Sequence, residues 1–160
     1  MRYIFFLLAL LSLTASAQRA PRKVKIKKTP AVVSTEPVLV FQRTPCHGTC
    51  PTYSATVFAD GRVEYEGQRF VPVMGKRTTR IPVAQLTALL DEAQRIGFAK
   101  LKDSYPSDIF DLPSTIITVR APGQPAKTTE VRGEAPAELL TYIEHLKARF
   151  DQVAGITAEQ

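Results

Sequence analysis

The chemistry this chain can offer begins with "RTPCHGTCPTY", residues 43–53, which holds both of its cysteines, Cys46 and Cys50. Two thiols at this spacing can close a disulfide, clamp a soft metal ion or cycle between thiol and disulfide. Pro45 and Pro51 exclude a continuous helix through the motif, and Gly48 permits a tight reversal with positive φ. One open turn brings such Cα atoms to roughly 6 Å, within disulfide reach. The ring so closed is small, and loop entropy gives it only about 2 kcal/mol.

A metal clamp is the sharper alternative. Soft thiolates select Cu(I), and "CHGTCP" matches the short C-x-x-x-C-P motif of copper-delivery proteins with a thioredoxin fold. Cys46 and Cys50 would then be ligands, with His145 or His47 as the third. In those proteins the motif opens a helix, whereas here "TYSATVF" alternates as a strand does. Thiol redox is the other form of this alternative, but it ordinarily uses C-x-x-C at a helix N-terminus, where the nucleophile's pKa falls. The leading reading is a structural disulfide.

The remaining polar candidates are few. Arg43 can tie the carbonyls of the cysteine turn or pair with an acid from the loop that carries Asp103, Asp108 and Asp111. Arg43, His47, Tyr53, Asp108 and Asp111 are therefore the candidate ligand-binding residues. The spacing of the three aspartates fits no calcium loop. G-x-S-x-G, H-E-x-x-H and a P-loop are all missing. No nucleophile, base and metal set emerges, so the chain reads as non-catalytic and without a cofactor.

The elements that must hold these residues follow from periodicity. "VLVFQR" (38–43) is β-branched enough for a strand. "TYSATVF" and "RVEYEG" alternate on either side of Asp60-Gly61, the signature of a two-residue hairpin. "RFVPV" and "RTTRI" read as a second, looser hairpin, with Pro72 placing the first at an edge or bulge. From Pro82 the period becomes helical, with Leu86, Leu89, Leu90, Ala93 and Ile96 on one face and Gly97 as the stop. "KDSYPSDIFDLP" reads as a loop, and "STIITVR" and "AKTTEV" as one more hairpin. A last helix runs from about Pro136 to Phe150, its stripe formed by Leu139, Ile143, Leu146 and Phe150 and widened by Leu140. This order predicts an α+β fold: an antiparallel sheet of about five or six strands with two helices packed on one face.

Residues 1–17 read as a signal peptide: Arg2, the apolar run "YIFFLLALLSL", then Ala15-Ser16-Ala17 before the cleavage point. The run is too short for a transmembrane anchor. No cysteine stands at the new N-terminus, where the residue is Gln18, so no lipid anchor is expected. The formal net charge of +6 is carried by the front of the chain. Arg2 and six basic residues between 19 and 28 take seven of the 21 lysines and arginines, leaving 14 against 15 acids from residue 31 onward. Residues 18–36 thus read as a basic, disordered tail able to make weak contact with an anionic surface through residues 19–28. The rest, 37–151, reads as a single domain with a frayed C-terminus at 152–160. A basic tail on a near-neutral domain does not fit nucleic acid.

Arg43, Pro45, Cys46, Gly48, Cys50, Pro51 and Tyr53 match R-x-P-C-x-G-x-C-P-x-Y. With "DGRVEYEG", the helix from Pro82, "FAKL" and "DLPSTIITVR", the chain resembles a family of small exported bacterial domains catalogued only as a domain of unknown function. The resemblance runs from about Phe41 to Phe150. It implies secretion and an α+β domain, and no activity, substrate or cofactor. Family members often carry an aromatic residue where this chain has His47. The expectation is a soluble, periplasmic or secreted binding module with an envelope protein or polymer as its partner.

Overall fold

In the computed structural model, residues 35–156 are described, and all of them fall in one compact unit, residues 31–160. Residues 1–17, read as a signal peptide, all of the expected basic tail except Thr35 and Glu36, and residues 157–160 lie outside the described residues.

The chain runs β1 (Pro37–Arg43), β2 (Thr52–Phe58), β3 (Arg62–Arg69), β4 (Gly75–Arg80), α1 (Val83–Arg95), a 3-10 turn (Phe98–Lys100), β5 (Ser104–Tyr105), β6 (Thr115–Val119), β7 (Lys127–Val131) and α2 (Ala137–Val153). The sheet has seven strands in the order β4-β3-β2-β1-β6-β7-β5, rather than the five or six expected. The difference includes β5, two residues inside the presumed loop, which pairs parallel with β7. Its partner lies about 26 residues downstream, so no local pattern announces it. All other pairings are antiparallel.

Alternation fixes the register and the two faces. Leu39, Phe41, Tyr53, Ala55, Val57, Val63, Tyr65, Ile117 and Val131 point to one face and are buried. They meet Leu86, Leu89 and Ala93 of α1 and Leu139, Tyr142, Ile143, Leu146 and Phe150 of α2 in one core cluster. Aromatic rings run through it from helix to sheet. Phe150 stacks on Phe41 at 5.4 Å, Phe41 meets Tyr53 at 6.0 Å, and Tyr53 meets Tyr65 at 5.7 Å. Such tilted and offset pairs suit the ring quadrupoles. The α2 stripe differs from expectation in one place: Leu140 is exposed and Tyr142 takes the inward position.

Three local readings need correction. The Asp60-Gly61 hairpin has a three-residue connection, Ala59-Asp60-Gly61. Only Gly61 has positive φ, at 79°, its N–H donates to the Phe58 carbonyl at 2.9 Å, and Asp60 Oδ1 accepts from Arg62 N–H. One glycine therefore suffices where a two-residue turn needs two positive φ values.

"RFVPV" is not a strand, because β3 continues to Arg69 and pairs directly with β4. Residues 70–74 fold back instead. The Val73 carbonyl accepts from Tyr65 Oη at 2.9 Å, and Val73 N–H donates to the Ala154 carbonyl. That return needs Gly67, where a Cβ would stand 2.0 Å from the Val73 oxygen.

Finally, the C-terminus expected to fray from 152 continues the helix through Val153. Ala154 is fully buried, and Ile156 N–H caps back to the Asp151 carbonyl.

Candidate functional site

The motif lies at the end of β1 and the start of β2. Cys46 and Cys50 are joined in a disulfide with a Cα–Cα distance of 5.7 Å, the span foreseen from spacing. Inside the ring, Gly48 N–H points at Cys46 Sγ, 3.2 Å away. His47 is exposed, and its N–H lies 3.5 Å from the Asp111 carbonyl.

Arg43 and Tyr53 are cross-strand partners on the helix-facing side of the sheet. Both reach Asp151, in the last turn of α2. Tyr53 Oη donates to Asp151 Oδ1 at 2.6 Å, and Arg43 Nη1 donates to the same oxygen at 3.2 Å. Arg43 therefore finds its acid on α2 and not in the aspartate loop. Burial first, and then the hydrogen bond to Asp151, push the Tyr53 hydroxyl well above the ordinary tyrosine value. It stays a donor and does not serve as a base. The triad fastens the cysteine turn to the helix layer, 98 residues away along the chain from Tyr53.

The aspartate loop packs beside the cysteine loop. Thr44 N–H donates to the Ser114 carbonyl, and Ser114 N–H donates back to Thr44 Oγ1 at 2.7 Å. Ser114 is buried and gives its hydroxyl proton to Glu130, while Arg132 Nε donates to the same hydroxyl. Ser114 thus ties the foot of the loop to Glu130 and Arg132. At the other foot, Gly133 sits so close to Pro106 that a Cβ would stand 2.2 Å from its carbonyl oxygen. Between these feet the loop projects Ile109 and Phe110, 60% and 89% exposed, with Leu112 beside them. Asp108 and Asp111 are exposed on the same tip. Asp103 is apart from them and pairs with Lys127.

The structure thus divides the candidate residues. Arg43 and Tyr53 sit inward on Asp151. His47, Asp108 and Asp111 sit on the outer rim with the apolar tip. His145 is elsewhere, on α2, bonded through Nδ1 to Glu92 of α1 at 2.9 Å. Among the described residues no three His, Cys, Asp or Glu side chains gather as a metal-ligating group, so Cys46, Cys50 and His145 do not form one set.

Sequence reasoning missed Asp151, Ser114 and the tip itself. Asp151 follows Phe150 on the helix, and continuing the helical register past Phe150 was the available sign. The tip was visible as "DIF", an apolar pair inside an acidic loop.

No helix of the described residues is long and apolar enough to cross a membrane. No curated protein matches the chain significantly. The family model for DUF6438, a domain of unknown function, matches residues 37–150, which span β1 and nearly all of α2, and the chain belongs to that family.

Proposed function

We propose that this protein is an exported, non-catalytic binding module, periplasmic or secreted, that engages an envelope protein through the end of the sheet where the stapled loop meets the aspartate loop. The observation that carries the reading is the exposed Ile109-Phe110 tip held on a fixed base. Apolar side chains at such exposure lose free energy to water, and an apolar pocket on a partner would recover it. Asp108 and Asp111 flank the tip, so the pocket should be rimmed by cations. The same charges disfavour insertion into anionic lipid. Export is supported by the leader-like residues 1–17, and weak contact with an anionic surface by the basic residues 19–28. The copper and thiol-redox readings need Cys46 and Cys50 as thiolates, and in the bonded pair neither is one.

The test places a photo-activatable phenylalanine at position 110 or, as control, at the exposed position 140, and irradiates each in envelope extract. A discrete protein adduct from 110, lost on Ile109→Ser, is expected. Identical labelling from 110 and 140 would sink the proposal.

A further inference from the structure

The helix layer does not cover the edge strand β4. Arg77 and Thr79 lie on the helix-facing side of that strand, opposite Tyr65 and Val63, yet Arg77 is exposed. A groove of about 230 Å³ opens there, between β4, the first turn of α1 and the last turns of α2. Its charged lining is Arg77, Arg80 and Arg149, with Thr79, Gln85 and Gln152 as polar neighbours, and no carboxylate of the described residues lines it. Chain segments from residue 31 onward carry slightly more acid than base, so three guanidinium groups in one groove are a local concentration and not a reflection of overall charge.

The guanidinium groups are also largely uncommitted. The Arg77 guanidinium has no hydrogen bond or ion pair among the described residues, its backbone alone being paired in the ladder with β3. Arg149 donates only to the neutral Gln152, at 3.2 Å. Arg80 is partly engaged, through Asp60 Oδ2 at 3.2 Å and the Asp60 carbonyl. The other acid close in sequence, Asp151, is held by Arg43 and Tyr53. In addition, the first turn of α1 has no acidic residue of its own and no side-chain cap among the described residues, which leaves its positive pole to favour an anion.

We infer that this groove is a binding site for a phosphomonoester carried on a small hydroxylated carbon unit. Three guanidiniums less the share taken by Asp60 leave a surplus of about two positive charges, which a phosphomonoester dianion matches at neutral pH. Planar guanidinium forks suit its oxygens better than ammonium groups do. The groove has room beyond the phosphate itself, and Thr79, Gln85 and Gln152 offer partners for hydroxyls. The site is distinct from the Phe110 tip, so either assignment can fail without the other.

Glucose 6-phosphate, dihexanoyl phosphatidic acid and glucose are titrated separately into the 15N-labelled protein at fixed low salt. Amide shifts confined to residues 77–85 and 149–153 are expected with a phosphate ester and not with glucose. Tighter binding of the sugar phosphate assigns the natural source to a sugar unit, and tighter binding of the short-chain lipid assigns it to a headgroup. Arg77→Gln and Arg149→Gln should each weaken binding about tenfold. Lys100→Gln removes the same charge beyond the far end of α1, about 20 Å away, and should leave affinity within twofold. Ile109→Ser should leave it unchanged. Absence of shifts with both esters, or an equal loss from Lys100→Gln, overturns the assignment. So does unaltered binding in a folded Arg77→Gln protein.

Discussion

Two buried tyrosines show how the same side chain can be a fastener or a burden. Tyr53 donates to Asp151, whereas Tyr142, fully buried between the helices and the sheet, has a hydroxyl with no hydrogen-bond partner among the described residues. A buried hydroxyl without a partner costs free energy, while one bonded to a charged group gains it. Tyr53→Phe should therefore lose about 1.5 kcal/mol in urea unfolding. Tyr142→Phe should be neutral or stabilising. Burial raises the pKa of both hydroxyls, with Asp151 adding to the rise at Tyr53 and Glu92 at Tyr142. The unfolded chain releases these protons near the ordinary value of 10.0 while the folded chain keeps them, so stability is intact below that pH and falls as pH rises beyond it. In Tyr142→Phe the alkaline limb should be shallower, measured as unfolding free energy from pH 8 to 11. A large loss at pH 8 in Tyr142→Phe would show that the hydroxyl has a partner after all.

Among the elements, the β1–β2 connection is fastened several times over. The disulfide closes it, Thr44 and Ser114 exchange backbone and side-chain bonds beneath it, and Asp151 holds both strands from the helix side. Cys46→Ser with Cys50→Ser should thus cost about 1–3 kcal/mol and leave the fold standing. The check is denaturant unfolding of the double variant beside a thiol count on the wild type in native and unfolded states. Free thiols in both states would refute the staple. Here too the limits of sequence reading are physical. The cysteine ring, the Gly97 stop at φ 68° and the alternating strands that carry Tyr53 and Tyr65 were legible, because each depends on residues a few positions apart. The fold-back of 70–74 was not, since it depends on Gly67 leaving room and on Ala154 arriving from the far end of the chain. Nor was Arg43's partner, since "DQVAGITAEQ" looks like a tail until Phe150 is docked on Phe41 and carries Asp151 into place.

At the scale of the whole molecule, charge and packing are separated along the sequence. The core cluster runs from Leu39 to Ala154, and β1 already has neighbours on both sides in β2 and β6. The six basic residues between 19 and 28 precede the described residues, and their sequence holds no apolar periodicity. Removing residues 18–34 spares Glu36, which pairs with Arg120, and takes away six positive charges with no acid. The thermal midpoint should therefore move by no more than a degree or two, a prediction checked by comparing melts of chains that begin at 18 and at 35. Adsorption to phosphatidylglycerol vesicles should respond very differently. Each basic residue near such a surface contributes about 1 kcal/mol at most, and salt screens the attraction within a Debye length of roughly 10 Å at 0.1 M. Retention on the vesicles should be strong at low salt, fall steeply as salt rises, and vanish in the shortened chain. A melt lowered by many degrees would mean instead that "VKIK" adds a strand to the sheet. Retention that survives the deletion would move the surface contact from the tail to the domain, where the arginine groove beside β4 is the place to look.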